Sequence, residues 1–423
     1  MGPRELLLDS FRAALSAADP LAIVPKHLPA PPRGRTVVVG AGKAAASMGR
    51  AVDDHWPRDA PLEGVVITRY GHGLPVSRIR VVEAGHPVPD QQGEAAAREI
   101  LALARSLTPE DLLLVLVSGG GSSLLSLPVE SVPMEDLKAV TRMLLASGAP
   151  IQDMNVVRKH LSRIQGGQLA AATRAKVLAL VISDVTGDDP THVASGPCTP
   201  DPTTYADAID VLARHGVAAP ATVAAHLARG AKGEIAETPK PGDPSLSHAE
   251  TRVIATAHAS LAAAAAFVQH RGITPLVLGD SVTGESSEVA KAYAALARQL
   301  RQHSHPFRTP VALISGGETT VTVRGKGRGG RCTEFLLSLA IALEALPDTW
   351  ALACDTDGID GSEDNAGAIL TPDALARARA AGLDPRRLLA DNDGYGFFSA
   401  LGELVVTGPT RTNVNDFRII LVR

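Results

Sequence analysis

The 423-residue sequence contains few cysteines and few aromatic residues, and each scarcity excludes a class of protein. Its three cysteines, Cys198, Cys332 and Cys354, are too few and too scattered for a disulfide framework or a four-cysteine zinc site. They fit a reducing cytoplasm instead. Aromatic residues make up only 3% of the chain, which leaves few rings on which nucleic-acid bases would stack.

The chain also lacks a strong net charge and a long apolar run. Its 41 Lys and Arg residues against 45 Asp and Glu residues give a net charge of −4, so no basic field attracts nucleic acid or an anionic membrane surface. Apolar stretches such as Leu112–Val117 are far shorter than the roughly 20 residues of a membrane helix. The first residues do not follow the order of a secretory signal. We therefore expect a cytoplasmic protein without a nucleic-acid or membrane partner.

Glycine and proline are abundant, at 39 and 30 residues, and the glycines follow short apolar runs. These runs alternate with alanine-rich segments of helical period, which is typical of strands buried on both faces of a parallel sheet. The sequence predicts an α/β fold in which helices flank mostly parallel, Rossmann-like sheets. Predicted strands are Arg35–Val39, Gly64–Thr68, Arg80–Glu83, Leu112–Val117, Val177–Ile182, Arg252–Ala255, Pro275–Leu278, Pro310–Ile314, Thr349–Ala353 and Glu403–Thr407; predicted helices include Glu5–Ala17, Gln92–Ser106 and Ala257–Arg271.

A proline-rich segment, Glu237–Ser247, divides the chain. It has three prolines and no apolar period, which favours an extended connection. We therefore predict two domains, residues 1–240 and 241–423, and the alternative is a long surface loop inside one domain. Each part has Ser-Gly-Gly after an apolar strand, starting at Ser118 and Ser315. This weak repeat indicates either related halves or two independent solutions to the same turn.

The turn Gly40-Ala-Gly42-Lys43 carries the first functional signal. It ends a strand and begins an alanine-rich helix, as dinucleotide-binding and phosphate-binding turns do. The next strand lacks the acidic residue that would bind a nicotinamide ribose. Lys43 would lie beside the positive end of the helix, an unfavourable position that a bound anion relieves. The alternative is a solvated surface lysine.

Two further glycine-rich segments suit anionic ligands. In residues 118–123, three consecutive glycines let backbone N–H groups converge and serine hydroxyls follow, which suits an oxyanion, although a ligand-free turn is the alternative. In residues 324–334, four cations alternate with four glycines. That composition predicts a mobile, strongly positive loop for a polyphosphate or another anion.

Carboxylates follow two of the predicted strands, within residues 184–189 and 355–360. In open α/β sheets, ligands bind beyond the carboxyl ends of the strands. One or two carboxylates there would hold Mg²⁺, with phosphate and water as the other ligands. The alternative for each acid is a turn or helix cap. The 13 histidines have no metal-ligand spacing, so a zinc site is not expected.

Together these motifs resemble one known family along nearly the whole chain. They are similar to the class II glycerate 2-kinases, whose C-terminal domain is called MOFRL and whose members are often labelled hydroxypyruvate reductases. One departure is Cys332-Thr333, since members commonly have Asn after the arginine of the Gly-Gly-Arg motif. The matching segments are Val39–Ala44, Gly85–Pro87, Ser118–Ser122, Asn155–Ser162, Ser183–Asp188, Ala194–Pro197, Ser315–Thr319, Gly329–Arg331, Asp355–Gly361 and Thr407–Asp416.

The resemblance implies two α/β domains with the active site in the cleft between them. It implies transfer of a phosphoryl group from ATP to D-glycerate with Mg²⁺, giving 2-phosphoglycerate. Lys43 and Arg331 match the family's functional lysine and arginine, and we assign them to the transferring phosphoryl group and the substrate carboxylate. The acids Asp184, Asp189, Asp355 and Asp357 are candidates for the catalytic base or for magnesium, with the last two preferred as metal ligands. Predicted substrate- or nucleotide-binding residues are Gly40, Gly42, His86, Ser118, Gly119, Gly120, Gly121, Ser122, Ser123, Arg158, Ser195, Gly196, Ser315, Gly316, Gly317, Glu318, Thr319 and Asn413.

Two other functions remain open from the sequence. Gly40-Ala-Gly42 also suits an NAD(P)H-dependent reductase of hydroxypyruvate, but the missing ribose-binding acid and the magnesium-suited carboxylates argue against it. A non-catalytic protein that binds small anionic metabolites is the third hypothesis. The sequence leaves the oligomeric state open, a homodimer included.

Overall fold

The structure, a computed structural model, describes residues 1–423. The chain divides into two compact units. The N-terminal unit is Pro20–Ile254, and the C-terminal unit combines Met1–Asp19 with Ala255–Arg423. Each unit has a six-stranded sheet with flanking helices, which confirms the predicted two-domain α/β fold class.

Twelve strands and sixteen helices make up the fold. The strands are β1 (Thr36–Ala41), β2 (Leu62–Arg69), β3 (Arg80–Ala84), β4 (Leu112–Val117), β5 (Lys176–Ile182), β6 (Ala249–Ala255), β7 (Thr274–Gly279), β8 (Val311–Ser315), β9 (Thr349–Asp355), β10 (Gly367–Leu370), β11 (Leu404–Val405) and β12 (Asp416–Val422). The helices are α1 (Pro3–Ala17), α2 (Pro20–Ile23), α3 (Ala45–His55), α4 (Gln91–Arg105), α5 (Gly121–Leu124), α6 (Met134–Ala146), α7 (Ile151–His160), α8 (Gln168–Ala171), α9 (Tyr205–Arg214), α10 (Ala221–Ala231), α11 (Ala257–Gln269), α12 (Ser286–His303), α13 (Arg331–Leu343), α14 (Ala374–Ala380), α15 (Pro385–Ala390) and α16 (Gly394–Leu401). None of these helices is both long enough and apolar enough to cross a membrane.

The sheet of the N-terminal unit has the strand order β3-β2-β1-β4-β5-β6. Its strands β1 to β5 pair in parallel, as the continuous apolar runs predict. Every residue of β1 and β4 is buried, so these two neighbours form the centre of the sheet. Because β1 and β4 are parallel and adjacent, the turns that follow them lie at the same edge.

The sheet of the C-terminal unit departs from the mostly parallel expectation. Its order is β11-β10-β9-β12-β8-β7, and only the β7–β8 pairing is parallel. The central strand β12 is entirely buried but was not predicted. Two charged residues, Asp416 and Arg418, interrupt its apolar run. They form an ion pair with each other, which compensates both charges inside the sheet.

The predicted boundary between the domains is displaced at both ends. Helix α1 was predicted as part of the first domain, but it belongs to the C-terminal unit. There the ring centroids of Phe11 and Phe417 lie 5.8 Å apart. The Thr412 hydroxyl also donates to the carbonyl of Ala18 at 2.7 Å. At the other end, β6 belongs to the N-terminal sheet, so the chain leaves that unit after Ile254 instead of residue 240.

The segment Glu237–Ser247 is a packed surface segment of the N-terminal unit, which matches the alternative interpretation. The carbonyl of Pro239 accepts a hydrogen bond from the backbone N–H of Asp201 at 2.8 Å. The Thr238 hydroxyl donates to the carboxylate of Asp201 at 3.0 Å. Leu246 packs against the apolar core. Proline content therefore indicated an irregular segment correctly, but this segment does not connect the two units.

Candidate active site

The predicted turns after β1 and β4 interlock in the N-terminal unit. The backbone N–H of Lys43 donates to the Gly119 carbonyl at 2.8 Å, and that of Ala44 donates to the Ser118 hydroxyl at 3.0 Å. A Cβ atom on Gly42 would lie 2.1 Å from the Ser118 Oγ atom, so only glycine permits this approach. We call residues 40–44 and 118–123 the double-turn site.

Lys43 and His86 both approach the position that a side chain on Gly120 would occupy. A Cβ atom on Gly120 would lie 2.8 Å from His86 Nε2 and 3.4 Å from Lys43 Cγ. Gly120 also has a φ of 80°, the left-handed conformation that glycine adopts at low cost. Helix α3 begins at Ala45, so the Lys43 cation stands at the positive end of the helix dipole. The double-turn site therefore concentrates positive potential beside a glycine with no side chain.

Ser195 joins the double-turn site through a strained segment. Ala194, Ser195 and Gly196 are three consecutive residues with left-handed φ angles, of 51°, 57° and 57°. Such strain in residues other than glycine is costly and concentrates at functional sites. The Ser195 Oγ atom lies 2.9 Å from that of Ser122 and 3.0 Å from Asn155 Oδ1. A hydrogen-bonded line therefore runs from Ser122 through Ser195 to helix α7.

Next to this line lies a small recess, which we call the Arg158 recess. The Arg158 guanidinium makes one weak hydrogen bond, from Nη1 to Asn155 Oδ1 at 3.4 Å, and no carboxylate forms an ion pair with it. Burial lowers its pKa to about 10, so the group stays cationic at neutral pH. A partly buried cation without a protein counter-charge is a favourable place for an anion to bind. The recess is lined by Pro87, Pro89, Ser122, Ser123, Ser126, Leu127, Leu137, Thr141, Arg158, Ser162 and Gln165.

The acids after β5 lie in a turn of the N-terminal unit. Asp189 accepts a hydrogen bond from the backbone N–H of Thr191 at 2.9 Å, as a turn-stabilising acid does. Desolvation alone would raise the pKa of Asp189, but the hydrogen bonds with Thr191 and the positive charges nearby lower it. Asp184 is partly buried and is the second residue after β5. A role for either acid as the catalytic base stays a prediction.

Arg331 of the C-terminal unit is surrounded by carboxylates. Its Nε atom lies 2.7 Å from Asp416, its Nη1 atom 2.6 Å from Glu318 and its Nη2 atom 2.8 Å from Asp355. Desolvation would lower the pKa of Arg331, but the attraction of Asp416, Asp355 and Glu318 raises it well above its ordinary value. The structure thus brings three predicted motifs together around one guanidinium. The positive charge of that guanidinium is therefore compensated by carboxylates of the protein itself.

Asp416 and Arg418 belong to the same cluster and were missed as site residues. Arg418 is buried and donates to Asp416, to the Gly316 carbonyl at 2.9 Å and to the Thr319 hydroxyl at 2.9 Å. These bonds hold the predicted segment Ser315–Thr319 in place. One signal in the sequence could have identified Asp416 and Arg418: they lie two residues apart inside an otherwise apolar run.

The departure from the family pattern at Cys332-Thr333 has a structural role at the start of α13. The buried Asp360 carboxylate accepts hydrogen bonds from the backbone N–H groups of both residues, each at 2.9 Å. It also accepts one from the Thr333 hydroxyl at 2.8 Å. Thr333 therefore takes part in capping the helix that carries Arg331.

The predicted metal ligands Asp355 and Asp357 are buried at the carboxyl end of β9. Asp355 accepts from the backbone N–H of Asp357 at 2.9 Å, and Asp357 accepts from that of Ile359 at 2.8 Å. No group of three or more His, Cys, Asp or Glu side chains is arranged to hold a metal ion. Asn413 is buried in the next turn of this unit and accepts from the Asn415 N–H at 3.3 Å.

The glycine-rich basic loop is anchored, which corrects the expectation of a mobile loop. The N–H of Arg324 donates to the Asn392 side chain at 2.7 Å, and the N–H of Lys326 donates to the Asp391 carboxylate at 2.9 Å. The N–H of Arg328 donates to the Asp393 carboxylate at 3.2 Å. The side chains of the three cations are exposed. The glycines allow close packing here, since a Cβ atom on Gly325 would lie 2.3 Å from the Asp391 carbonyl oxygen.

Comparison with known proteins identifies matches along both units. Residues 6–228 match the family described as domain of unknown function DUF4147, and residues 311–416 match the MOFRL family. The chain is 38% identical over 421 residues to the D-glycerate 2-kinase of Thermotoga maritima, covering 99% of this chain and 98% of that protein. It is 51% identical over 422 residues to an Agrobacterium vitis protein that carries the name hydroxypyruvate reductase, covering 99% and 94%.

The same comparison holds in three dimensions. A crystal structure of glycerate kinase from Thermotoga maritima matches with a TM-score of 0.87 and 37% identity, covering 99% of each chain. A second crystal structure, of a Pyrococcus horikoshii protein, matches with a TM-score of 0.81 and 36% identity. It covers all of this chain and 99% of the other.

Proposed function

Because the chain belongs to the family that combines DUF4147 and MOFRL domains and includes the glycerate kinases, we propose that it phosphorylates D-glycerate at the 2-hydroxyl with ATP. The observation that carries this proposal is the double-turn site. The Lys43 cation, the His86 imidazole and the glycine turn after β4, held together by the hydrogen bonds between the two turns, form a cradle of the kind that binds phosphate groups.

Phosphoryl transfer requires positioning and charge stabilisation more than covalent catalysis. The 2-hydroxyl oxygen attacks the γ-phosphorus, the bond between that phosphorus and the bridging oxygen breaks, and ADP leaves. Lys43 and the N-terminus of α3 would stabilise the negative charge on the transferring group. The hydroxyl proton passes to a basic side chain, for which Asp184 and Asp189 are the proposed candidates. The lowered pKa of Asp189 keeps its carboxylate ionised at neutral pH.

Asp355 and Asp357 are the proposed magnesium ligands. They fit this metal because Mg²⁺ prefers carboxylate oxygens and takes only one or two from the protein, with phosphate and water as the others. Both carboxylates lie at the carboxyl end of β9, and a carboxylate offers about four acceptor positions. Bound Mg²⁺ would neutralise phosphate charge. Arg331 forms an ion pair with Asp355 at 2.8 Å, so we propose an organising role for this arginine.

The test is an ADP-release assay with D-glycerate and ATP, followed by NMR of the product to locate the phosphate. We expect ADP release that requires D-glycerate and Mg²⁺, with the phosphate on carbon 2. Phosphate on carbon 3 would overturn the assigned position. Oxidation of NADH on addition of hydroxypyruvate, with no ADP release from D-glycerate, would favour the reductase instead.

Lys43→Ala tests the double-turn site. We expect kcat/KM for D-glycerate to fall about 100- to 1,000-fold, which is the usual effect of removing one group that stabilises a developing anion. The matched control is Lys232→Ala, because Lys232 is an exposed lysine on the surface of the same unit. Near-normal turnover by the Lys43 variant would show that the double-turn site does not bind the transferring group.

A further inference from the structure

We propose that the Arg158 recess binds the carboxylate of the acceptor, and that this subsite makes the enzyme selective for short 2-hydroxycarboxylates over neutral polyols. This inference rests on the proposed kinase function and moves the carboxylate-binding role from Arg331 to Arg158. Its basis is the difference in how the two guanidinium groups are compensated.

The Arg158 guanidinium has the free charge that an anionic ligand needs. Its one hydrogen bond within the protein is to the neutral amide oxygen of Asn155 at 3.4 Å. Arg331, by contrast, is held by three carboxylates at 2.6 to 2.8 Å. A substrate carboxylate at Arg331 would approach three negative charges, whereas at Arg158 it would supply the counter-charge that the protein does not.

The recess has a neutral lining beside Arg158, with no acidic side chain among its lining residues. The hydroxyls of Ser123 and Ser126 already donate to the carbonyls of Gly120 and Ser122, at 3.1 and 3.2 Å. The guanidinium is therefore the donor that a carboxylate would meet here. A charge-assisted hydrogen bond between it and a carboxylate is stronger than one between neutral groups.

Ser122 belongs to both the Arg158 recess and the double-turn site. An acceptor with its carboxylate in the recess therefore places the adjacent carbon, which bears the 2-hydroxyl, toward the phosphate cradle. Pro87, Pro89 and Leu137 form apolar walls of the recess. They offer no partners for further hydroxyl groups, which favours a short carbon chain.

Asn155 is the positioning residue for this subsite. It is buried, and its side-chain amide donates to the His192 carbonyl at 3.3 Å while its oxygen faces both Ser195 and Arg158. An aspartate of the same shape would neutralise Arg158 within the protein. The amide instead orients the guanidinium and leaves its charge for the ligand.

The experiment combines calorimetric binding of D-glycerate with steady-state kinetics on the full chain. We expect Arg158→Ala to weaken D-glycerate binding and raise its KM roughly 100-fold, as for a lost charge-assisted contact. Arg158→Lys keeps the positive charge, and we expect it to bind D-glycerate at least roughly tenfold more tightly than Arg158→Ala does. Inhibition by glycerol, which has a hydroxymethyl group in place of the carboxylate, should not change. The matched control is Arg163→Ala, because Arg163 is already paired with Glu130 at 3.2 Å.

Asn155→Asp separates a charge effect from a structural one. We expect its KM for D-glycerate to rise at least roughly tenfold, because the new carboxylate compensates Arg158 within the protein. Its unfolding midpoint reports separately on the lost hydrogen bond from the Asn155 amide to the His192 carbonyl. An equal loss of D-glycerate and glycerol binding in Arg158→Ala, or a change below threefold, would overturn the subsite. If wild type binds D-glycerate but releases no ADP, the kinase proposal fails while the calorimetric test of Arg158 still stands.

Discussion

Two arginines, one in each unit, lie in opposite electrostatic environments. Arg158 of the N-terminal unit has one neutral partner, and burial lowers its pKa to about 10. Arg331 of the C-terminal unit has three carboxylate partners, and their attraction raises its pKa. A motif containing arginine thus does not identify an anion site by itself. The surrounding carboxylates decide whether the charge serves the fold or a ligand.

The largest expected difference between the two arginines is in stability. Arg331→Met leaves Asp416, Asp355 and Glu318 without their shared cation, so we expect a loss of about 3 to 5 kcal/mol in the free energy of unfolding of the C-terminal unit. Arg158→Met removes an uncompensated cation and should be neutral or slightly stabilising. Urea unfolding followed by hydrogen exchange, which reports on each unit separately, measures both. Equal destabilisation by the two variants would contradict the comparison.

Glu334 tests the electrostatics of the C-terminal unit through pH. Burial, only partly offset by a hydrogen bond from Asn392, raises the pKa of Glu334 to about 7. The unfolded chain loses this proton near its ordinary pKa of about 4.5, so stability falls as pH rises from about 4.5 to 7. Over this pH range the free energy of unfolding falls by about 3 kcal/mol. Glu334→Gln should lack this loss, as measured by hydrogen exchange of α13 amides.

The pKa of Asp201, in the N-terminal unit, is shifted in the opposite direction to that of Glu334. Desolvation would raise the pKa of Asp201, but the charge of Lys159 and the hydrogen bonds from Thr203 lower it. The stability that Asp201 contributes is therefore present above the ordinary pKa of an aspartate and is lost in acid.

The Glu334 prediction would be contradicted if the free energy of unfolding of wild type and of Glu334→Gln changed with pH in the same way, because the pKa of Glu334 would then not be raised.

Gly317 and Gly120 occupy matching positions in the two Ser-Gly-Gly turns, with φ angles of 96° and 80°. A Cβ atom on Gly317 would lie 2.3 Å from the backbone oxygen of Val282, so we expect Gly317→Ala to cost about 2 kcal/mol in stability. At Gly120 the nearest atoms belong to the side chains of His86 and Lys43. Gly120→Ala should therefore reduce kcat/KM more than stability. A larger loss of stability from Gly120→Ala than from Gly317→Ala would contradict this distinction.

The smallest expected effects concern the basic loop. Because its backbone is anchored, Arg324→Ala and Lys326→Ala should each change the free energy of unfolding by less than about 0.5 kcal/mol. Asn392→Gly removes the oxygen that accepts from the N–H groups of Arg324 and Gly325, and should cost about 1 kcal/mol. Glycine is the appropriate replacement since Asn392 has a φ of 56°. A larger effect from the cations would show that their charge holds the loop.

Local pattern predicted the N-terminal unit better than the C-terminal one. The apolar runs of β1 and β4 indicated parallel buried strands, and adjacent parallel strands necessarily bring their following turns together. The C-terminal sheet is mostly antiparallel, and its central strand β12 carries Asp416 and Arg418 within the apolar run. Their ion pair joins residues two apart on the same strand, and a search for continuous apolar runs does not reveal it.

The sequence by itself determined the α/β class, the glycine turns that hold Lys43 and the family to which the chain belongs. These depend on residue type and on neighbours along the chain. The tertiary structure alone decided that α1 packs with the C-terminal unit, that Arg331 is compensated by three carboxylates and that Arg158 is not. Charge compensation depends on distances of 3 to 4 Å between residues far apart in sequence. Only the folded chain establishes those distances.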